Sequence, residues 1–229
     1  MDRRERVIVA LDVPDWAAAE RLVERLGGEL RWVKVGLELY TGAGPAAIQR
    51  LKEQGLRVMV DLKLHDIPET VRRAVERLLA HGADAVTVHA QGGRPMLEAA
   101  VAAAQAGGAR VWAVTVLTSL DDALWSELGH DGDVPGGVRR LTRLARTAGC
   151  HGVVASGMEA RLVRQMAGDD FDIVTPGIRF AGDEAADQRR TMDPAQALAA
   201  GATQLVIGRP ITHAADPAAR LHQAQELAR

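Results

Sequence analysis

Eight short apolar runs, most of them rich in β-branched residues, recur along the chain. They fall at Val7–Leu11, Trp32–Val35, Val58–Leu62, Ala85–His89, Val111–Leu117, Gly152–Ala155, Asp172–Val174 and Gln204–Ile207. Most are continuously apolar rather than alternating, the pattern of parallel strands covered on both faces. The stretches between them carry helical spacing. WAAAERLVERL puts Ala19, Leu22, Val23 and Leu26 on one face. ETVRRAVERLLAHGA puts Val71, Ala74, Val75, Leu78 and Leu79 on a stripe, with Gly82 as the stop. Eight strand–helix units in 229 residues predict an α/β fold, a single (β/α)8 TIM barrel domain over residues 1–229. An open doubly wound sheet is the alternative. ALDVPDW, after the first strand, lacks the glycines that a dinucleotide-binding turn needs, which favours the barrel.

Composition narrows the partners more than the fold. With 47% hydrophobic and 25% charged residues the chain has the balance of an ordinary globular protein. A formal net charge of -2 gives no electrostatic reason to bind nucleic acid or an anionic membrane surface. One cysteine, Cys150, excludes an intramolecular disulfide and fits a reducing compartment. Placed in AGCHGVV, it reads as a small buried hydrophobe rather than a nucleophile. MDRRERVIVALDV has too short an apolar run for a signal-peptide core, and no stretch approaches a membrane span. The expectation is a cytoplasmic protein.

Barrel active sites lie at the C-terminal ends of the strands. The residues there are Asp12, Lys34, Asp61 with Lys63, His89, Thr118, Ser156, Pro176 to Arg179, and Gly208 with Arg209. Charge inside or directly after an apolar run is costly unless paired. Lys34 in RWVKVGLEL belongs to the strand itself; an outward lysine snorkelling between helices is the competing reading. In DLKLHDIP, Asp61 and Lys63 share a strand face and point into the barrel mouth. Asp66 follows a turn, and Pro68 suits the first turn of the next helix. A structural ion pair competes for Asp61 and Lys63, and a helix N-cap for Asp66. With Lys34 one strand away, the four form an array of two lysines and two aspartates that keeps each group charged.

At the far end of the chain LVIGRPI closes the eighth strand with Gly208 and Arg209. Loops after strands seven and eight of such barrels often bind phosphate, and arginine offers it a forked, permanently charged contact. TPGIR and then FAGDEAADQRR read as a lid over that end, a plain surface loop being the alternative.

Through ALDVPD, KVGLELY, DLKLHDIPETV, TVHAQGG, TVLTS, TPGIRFAGDEAADQRR and LVIGRPIT, in that order, the chain resembles the shorter, bacterial type of orotidine 5'-phosphate decarboxylase. The resemblance implies decarboxylation of orotidine 5'-monophosphate to uridine 5'-monophosphate without metal or organic cofactor. It implies that Lys63 delivers a proton to pyrimidine C6, within a network of Lys34, Asp61, Lys63 and Asp66. It further implies a homodimer in which Asp66, Ile67 and Thr70 complete the neighbour's site. Asp12 and Lys34 would hold the ribose hydroxyls. Thr118 and Ser156 would lie near the pyrimidine and the dimer-shared pocket, Pro176 would be among the substrate-binding residues, and Arg179, Gln188, Gly208 and Arg209 would take the phosphate. The rival within the same group is a sugar-phosphate barrel that uses Mg²⁺ and carries a glutamate ligand in strand two. Here that position holds Lys34, which would repel a metal. A catalytically silent phosphate-binding barrel is the other alternative, and it leaves both lysines without a reason.

Overall fold

The computed structural model of the protein describes residues 2–180 and 191–228. Among these, eight parallel strands close on themselves in chain order. They are β1 (Val7–Ala10), β2 (Trp32–Val35), β3 (Arg57–Leu64), β4 (Ala85–His89), β5 (Arg110–Val114), β6 (Gly152–Val154), β7 (Asp172–Thr175) and β8 (Gln204–Ile207). The helices of the first half are α1 (Trp16–Leu26), α2 (Leu37–Ala43), α3 (Ala46–Glu53), α4 (Pro68–Ala80) and α5 (Gly93–Gln105). The second half adds α6 (Asp122–Glu127), α7 (Val134–Thr147), α8 (Gly157–Ala167), α9 (Pro194–Ala199), α10 (Arg209–Thr212) and α11 (Pro217–Leu227). The barrel expected from the run pattern is the observed fold.

Alternation along each strand sorts the side chains into two cores. Val7 and Val9 face outward to the helices, while Ile8 and Ala10 face inward. The inward set includes Trp32, Met59, Ala85, Trp112, Val174 and Val206, which fill the barrel as packed layers. Trp32 and Trp112 lie with ring centroids 5.9 Å apart. Each indole N–H donates to a carboxylate, Trp32 to Glu5 at 2.6 Å and Trp112 to Asp172 at 2.9 Å. A buried tryptophan removes roughly 150–250 Å² from water, worth about 4–6 kcal/mol at about 25 cal/mol per Å². The polar tips of these two meet carboxylates, so neither of their indole N–H groups is left unpaired.

The expected helical stripes are buried as drawn. Ala19, Leu22 and Leu26 of α1 and Val71, Val75 and Leu78 of α4 face the barrel, with Val23, Ala74 and Leu79 at the edges. Aspartates set where helices start: Asp15, Asp121, Asp133, Asp193 and Asp216 each accept a backbone N–H of their helix's first turn. Each such cap is worth about 1 kcal/mol. By contrast, α2 and α10, which follow β2 and β8, begin at Gly36 and Gly208 with no side-chain cap.

Two strands depart from the expected limits by more than one residue. β5 stops at Val114, and Thr115 just beyond it donates both its N–H and its hydroxyl to the Val154 carbonyl. Val116 and Leu117 then leave the ladder. β3 instead runs on to Leu64, past a register shift against β4 between Val60 and Leu64. No helix among the described residues is long and apolar enough to cross a membrane.

Candidate active site

The charged centre forms where alternation carries the inward face of three strands up to the mouth. A backbone bond from Leu11 N to the Lys34 carbonyl (3.0 Å) prolongs the β1–β2 ladder and brings Asp12 level with Lys34. Lys34 shares its strand face with Trp32 and so points inward; it is only 8% exposed. An outward, snorkelling lysine is thereby excluded. Its Nζ donates to Asp12 Oδ1 at 2.8 Å and stands 3.7 Å from Asp61 Oδ2. From the other side Lys63 Nζ donates to the same Asp61 oxygen at 2.9 Å.

Asp61 therefore sits between two ammonium groups. Burial pushes its carboxyl up, but Lys34 and Lys63, with hydrogen bonds from Lys63 and the Thr87 hydroxyl, outweigh that and hold it below the usual carboxylate range. Lys63 reaches this position in an uncommon way. At φ 51° it is the one non-glycine residue in the left-handed region among the described residues. That conformation costs roughly 1–2 kcal/mol for a residue with a Cβ. Gly36 leaves room behind the first pair. A Cβ there would stand 2.6 Å from Lys34 Nζ and 2.8 Å from Asp12 Oδ1.

The mouth opens into a cavity of about 680 Å³, the size of a small-molecule site. Asp12, Lys34, Asp61 and Lys63 line it, with Val114, Val116, Leu117 and Val154 forming an apolar wall. From the ends of β7 and β8 come Pro176, Gly177, Arg179, Gly208 and Arg209. Gly177 takes a left-handed φ of 77°. The neighbouring Ile178 pairs with Met192, tying together the two ends of the segment 181–190. A Cβ on Gly208 would meet Ala10 only at 3.5 Å, an ordinary contact, so packing within the chain does not demand glycine there. What the arrangement offers is a buried and a half-buried ammonium on one carboxylate at one end, two arginines at the other, and an apolar wall between.

Residues 5–224 match the family described as orotidine 5'-phosphate decarboxylase / HUMPS. The chain belongs to that family. It is 52% identical over 227 residues to the orotidine 5'-phosphate decarboxylase of Moorella thermoacetica, covering 96% of this chain and 90% of that one. To the enzyme of the same name from Paramagnetospirillum magneticum it is 48% identical over 219 residues, 93% of each chain. The crystal structure of the orotidine 5'-phosphate decarboxylase from Lactobacillus acidophilus superposes with a TM-score of 0.87 at 36% identity, covering 97% of this chain and 98% of that one. Within the family the chain stands with these carboxy-lyases.

Family membership leaves the placement of each expected residue to the geometry. Asp12, Lys34, Asp61, Lys63, Thr118, Pro176, Arg179, Gly208 and Arg209 all line the one cavity. Asp66, Ile67 and Thr70 do not; they are exposed at the start of α4, and Ile67 is 67% exposed. Asp66 is not the N-cap that competed with its functional reading. That position belongs to Ile67, and Asp66 Oδ1 accepts only the adjacent Ile67 N–H at 2.6 Å. Ser156 is buried and caps α8 by accepting the Met158 N–H, outside the cavity lining. Gln188 and residues 181–190 of the expected lid lie outside the described residues; its first part, through Phe180, is described, and Phe180 is buried. Cys150 is buried as expected, and burial pushes its thiol up to about 12. Sequence reasoning missed Thr87 and the tight approach at Gly36. It also missed Glu38, Thr212 and His213, which line the cavity; all three follow strand ends within a helical turn or two, the one signal that could have found them.

Proposed function

We propose that the whole chain acts as one barrel domain that decarboxylates orotidine 5'-monophosphate to uridine 5'-monophosphate, without metal or cofactor. One observation carries the reading: the line of ion pairs from Asp12 through Lys34 and Asp61 to Lys63, lodged at an apolar-walled cavity. Loss of CO₂ from pyrimidine C6 leaves a vinyl carbanion with no π-system to receive its charge. A catalyst must therefore place fixed positive charge and a proton at that carbon. Lys63 supplies both. Asp61 pairs with that ammonium at 2.9 Å and stands 3.7 Å from Lys34, which fixes the charges beside the cavity. A sugar-phosphate barrel of the same family would need an acidic metal ligand where Lys34 stands, and the buried lysine speaks against it.

The remaining roles follow the same logic. Asp12 and Lys34 hold the ribose hydroxyls. Arg179 and Arg209, with Gln188 and the backbone at Gly208, take the phosphate, whose binding energy closes and dries the site. Thr118 and Pro176 lie about the pyrimidine; Ser156, one residue beyond the cavity-lining Ala155, is assigned with them. The protein works as a homodimer in which Asp66, Ile67 and Thr70 enter the neighbour's cavity. Their exposure at the rim, with a large apolar side chain among them, supports that assignment. The test is to incubate purified protein with orotidine 5'-monophosphate, follow the ultraviolet absorbance and analyse the products. Formation of uridine 5'-monophosphate and CO₂ is expected; an unchanged spectrum at high enzyme concentration would remove the reading.

A further inference from the structure

We infer that Thr87 is a positioning residue for catalysis, holding the Asp61–Lys63 pair in its reactive geometry through one hydroxyl. Thr87 is the inward-facing residue of β4 two positions above Ala85, and it is fully buried. Its Oγ1 donates to Asp61 Oδ1 at 2.9 Å and accepts the Lys63 backbone N–H at 2.9 Å. The β3–β4 ladder shows why both bonds meet at one atom. Val60 pairs with Val86 and Leu64 with Val88, so Asp61, Leu62 and Lys63 all face the single residue Thr87. This bulge interrupts the backbone ladder and re-aims side chains, as bulges beside functional sites do. At this interruption the threonine hydroxyl accepts the Lys63 N–H at 2.9 Å.

A hydroxyl suits this position for reasons of hydrogen count. It has one proton to give and lone pairs to receive, so it serves a carboxylate and an amide together. Through the first bond it fixes which Asp61 oxygen is left for the two lysines: Oδ1 goes to Thr87, Oδ2 to Lys34 and Lys63. Through the second it secures Lys63 in the left-handed conformation at φ 51°, which this side chain would otherwise leave. Thr87 does not line the cavity, so it acts on substrate only through its neighbours.

The inference rests on the proposed role of the lysine–aspartate array, and its test separates the two. Thr87→Val keeps the shape and removes the hydroxyl; Thr87→Ser keeps the hydroxyl. A lost hydrogen bond to a charged group predicts a fall of about tenfold to hundredfold in kcat for Thr87→Val. KM should stay within about threefold, since no substrate contact is removed. Thr87→Ser should recover most of kcat. The acid limb of the kcat profile should also move. Asp61 must be ionised, its hydrogen bond from Thr87 favours that form, and losing the bond raises the pH at which activity fails. Lys34 from β2, Lys63 on β3 and His89 on β4 are the other groups whose charge Asp61 feels, and all three remain in the variant. Finally, the double variant with Asp61→Asn should lose no more than Asp61→Asn alone, because both act on one unit. Thr87→Val with wild-type kcat and pH profile, a serine variant as impaired as the valine one, or additive losses would each overturn the inference. If Thr87→Val does not fold, Thr87→Ala gives the same comparison. Should Lys63→Ala itself leave kcat intact, the array reading fails first, and that outcome is distinct from all of these.

Discussion

Gly36→Ala is a one-atom change that probes the site from behind. The added Cβ would stand 2.6 Å from Lys34 Nζ and 2.8 Å from Asp12 Oδ1. The first distance is roughly 0.8 Å short of ordinary van der Waals contact, so the lysine tip has to move. It cannot move far without leaving Asp12 at 2.8 Å or changing its 3.7 Å approach to Asp61. A displacement of about 1 Å in a catalytic array costs on the order of a hundredfold in rate. The fold should be nearly indifferent. Gly36 has φ -94° at the start of α2, a backbone that alanine adopts, and the clash falls on the free end of a side chain. An alanine at a helix N-cap in place of glycine costs at most about 1 kcal/mol, which for a chain of this size lowers Tm by roughly 2–4 °C. Steady-state decarboxylation and a thermal melt on the same sample decide it. A loss of about a hundredfold in kcat/KM with a near-native melt is expected. A variant within threefold of wild type would show that the position of the Lys34 tip does not matter.

Other perturbations separate the remaining roles. Lys63→Ala removes charge and proton source together, so kcat should fall by more than the ~10²–10⁴ attributable to acid–base help alone, measured at saturating substrate. Arg209→Ala should raise KM for the nucleotide but change turnover of the nucleoside, orotidine, very little; equal losses on both would contradict a phosphate contact. The proposed homodimer with shared sites predicts that Lys63→Ala and Asp66→Asn proteins, mixed so that subunits exchange, recover about a quarter of wild-type sites, because half the random dimers are mixed and each has one intact site. Exchange confirmed with mass-tagged subunits but without recovery would confine Asp66 to its own chain.

The barrel was legible because both cores obey short-range rules. Continuous runs such as Val58–Met59–Val60 announce strands buried on two faces, and the Val71, Val75, Leu78 stripe announces a helix lying on them. The charged half of the site was legible for the opposite reason, since Lys34 within an apolar run violates the pattern that surrounds it. Thr87 obeyed the pattern. In AVTVH a threonine reads as ordinary strand filler, and its use appears only when the bulge sets three β3 residues against it. The same two-residue period that put Asp61 and Lys63 on one face says nothing of a register shift, so the left-handed Lys63 stayed hidden. Ser156 carries a signal of another kind. ASGME fits a serine cap followed by a helix, and its hydroxyl makes that cap one residue beyond the cavity-lining Ala155.

In the proposed function, fixed side-chain charge, with no metal, carries out the decarboxylation. Its most direct test is the turnover of orotidine 5'-monophosphate by protein stripped with EDTA and assayed in chelator, beside the same protein given Mg²⁺. The Lys34–Asp61–Lys63 array predicts equal rates in both. Activity abolished by chelation and restored by Mg²⁺ would contradict the account and move the chain to the metal-using sugar-phosphate branch.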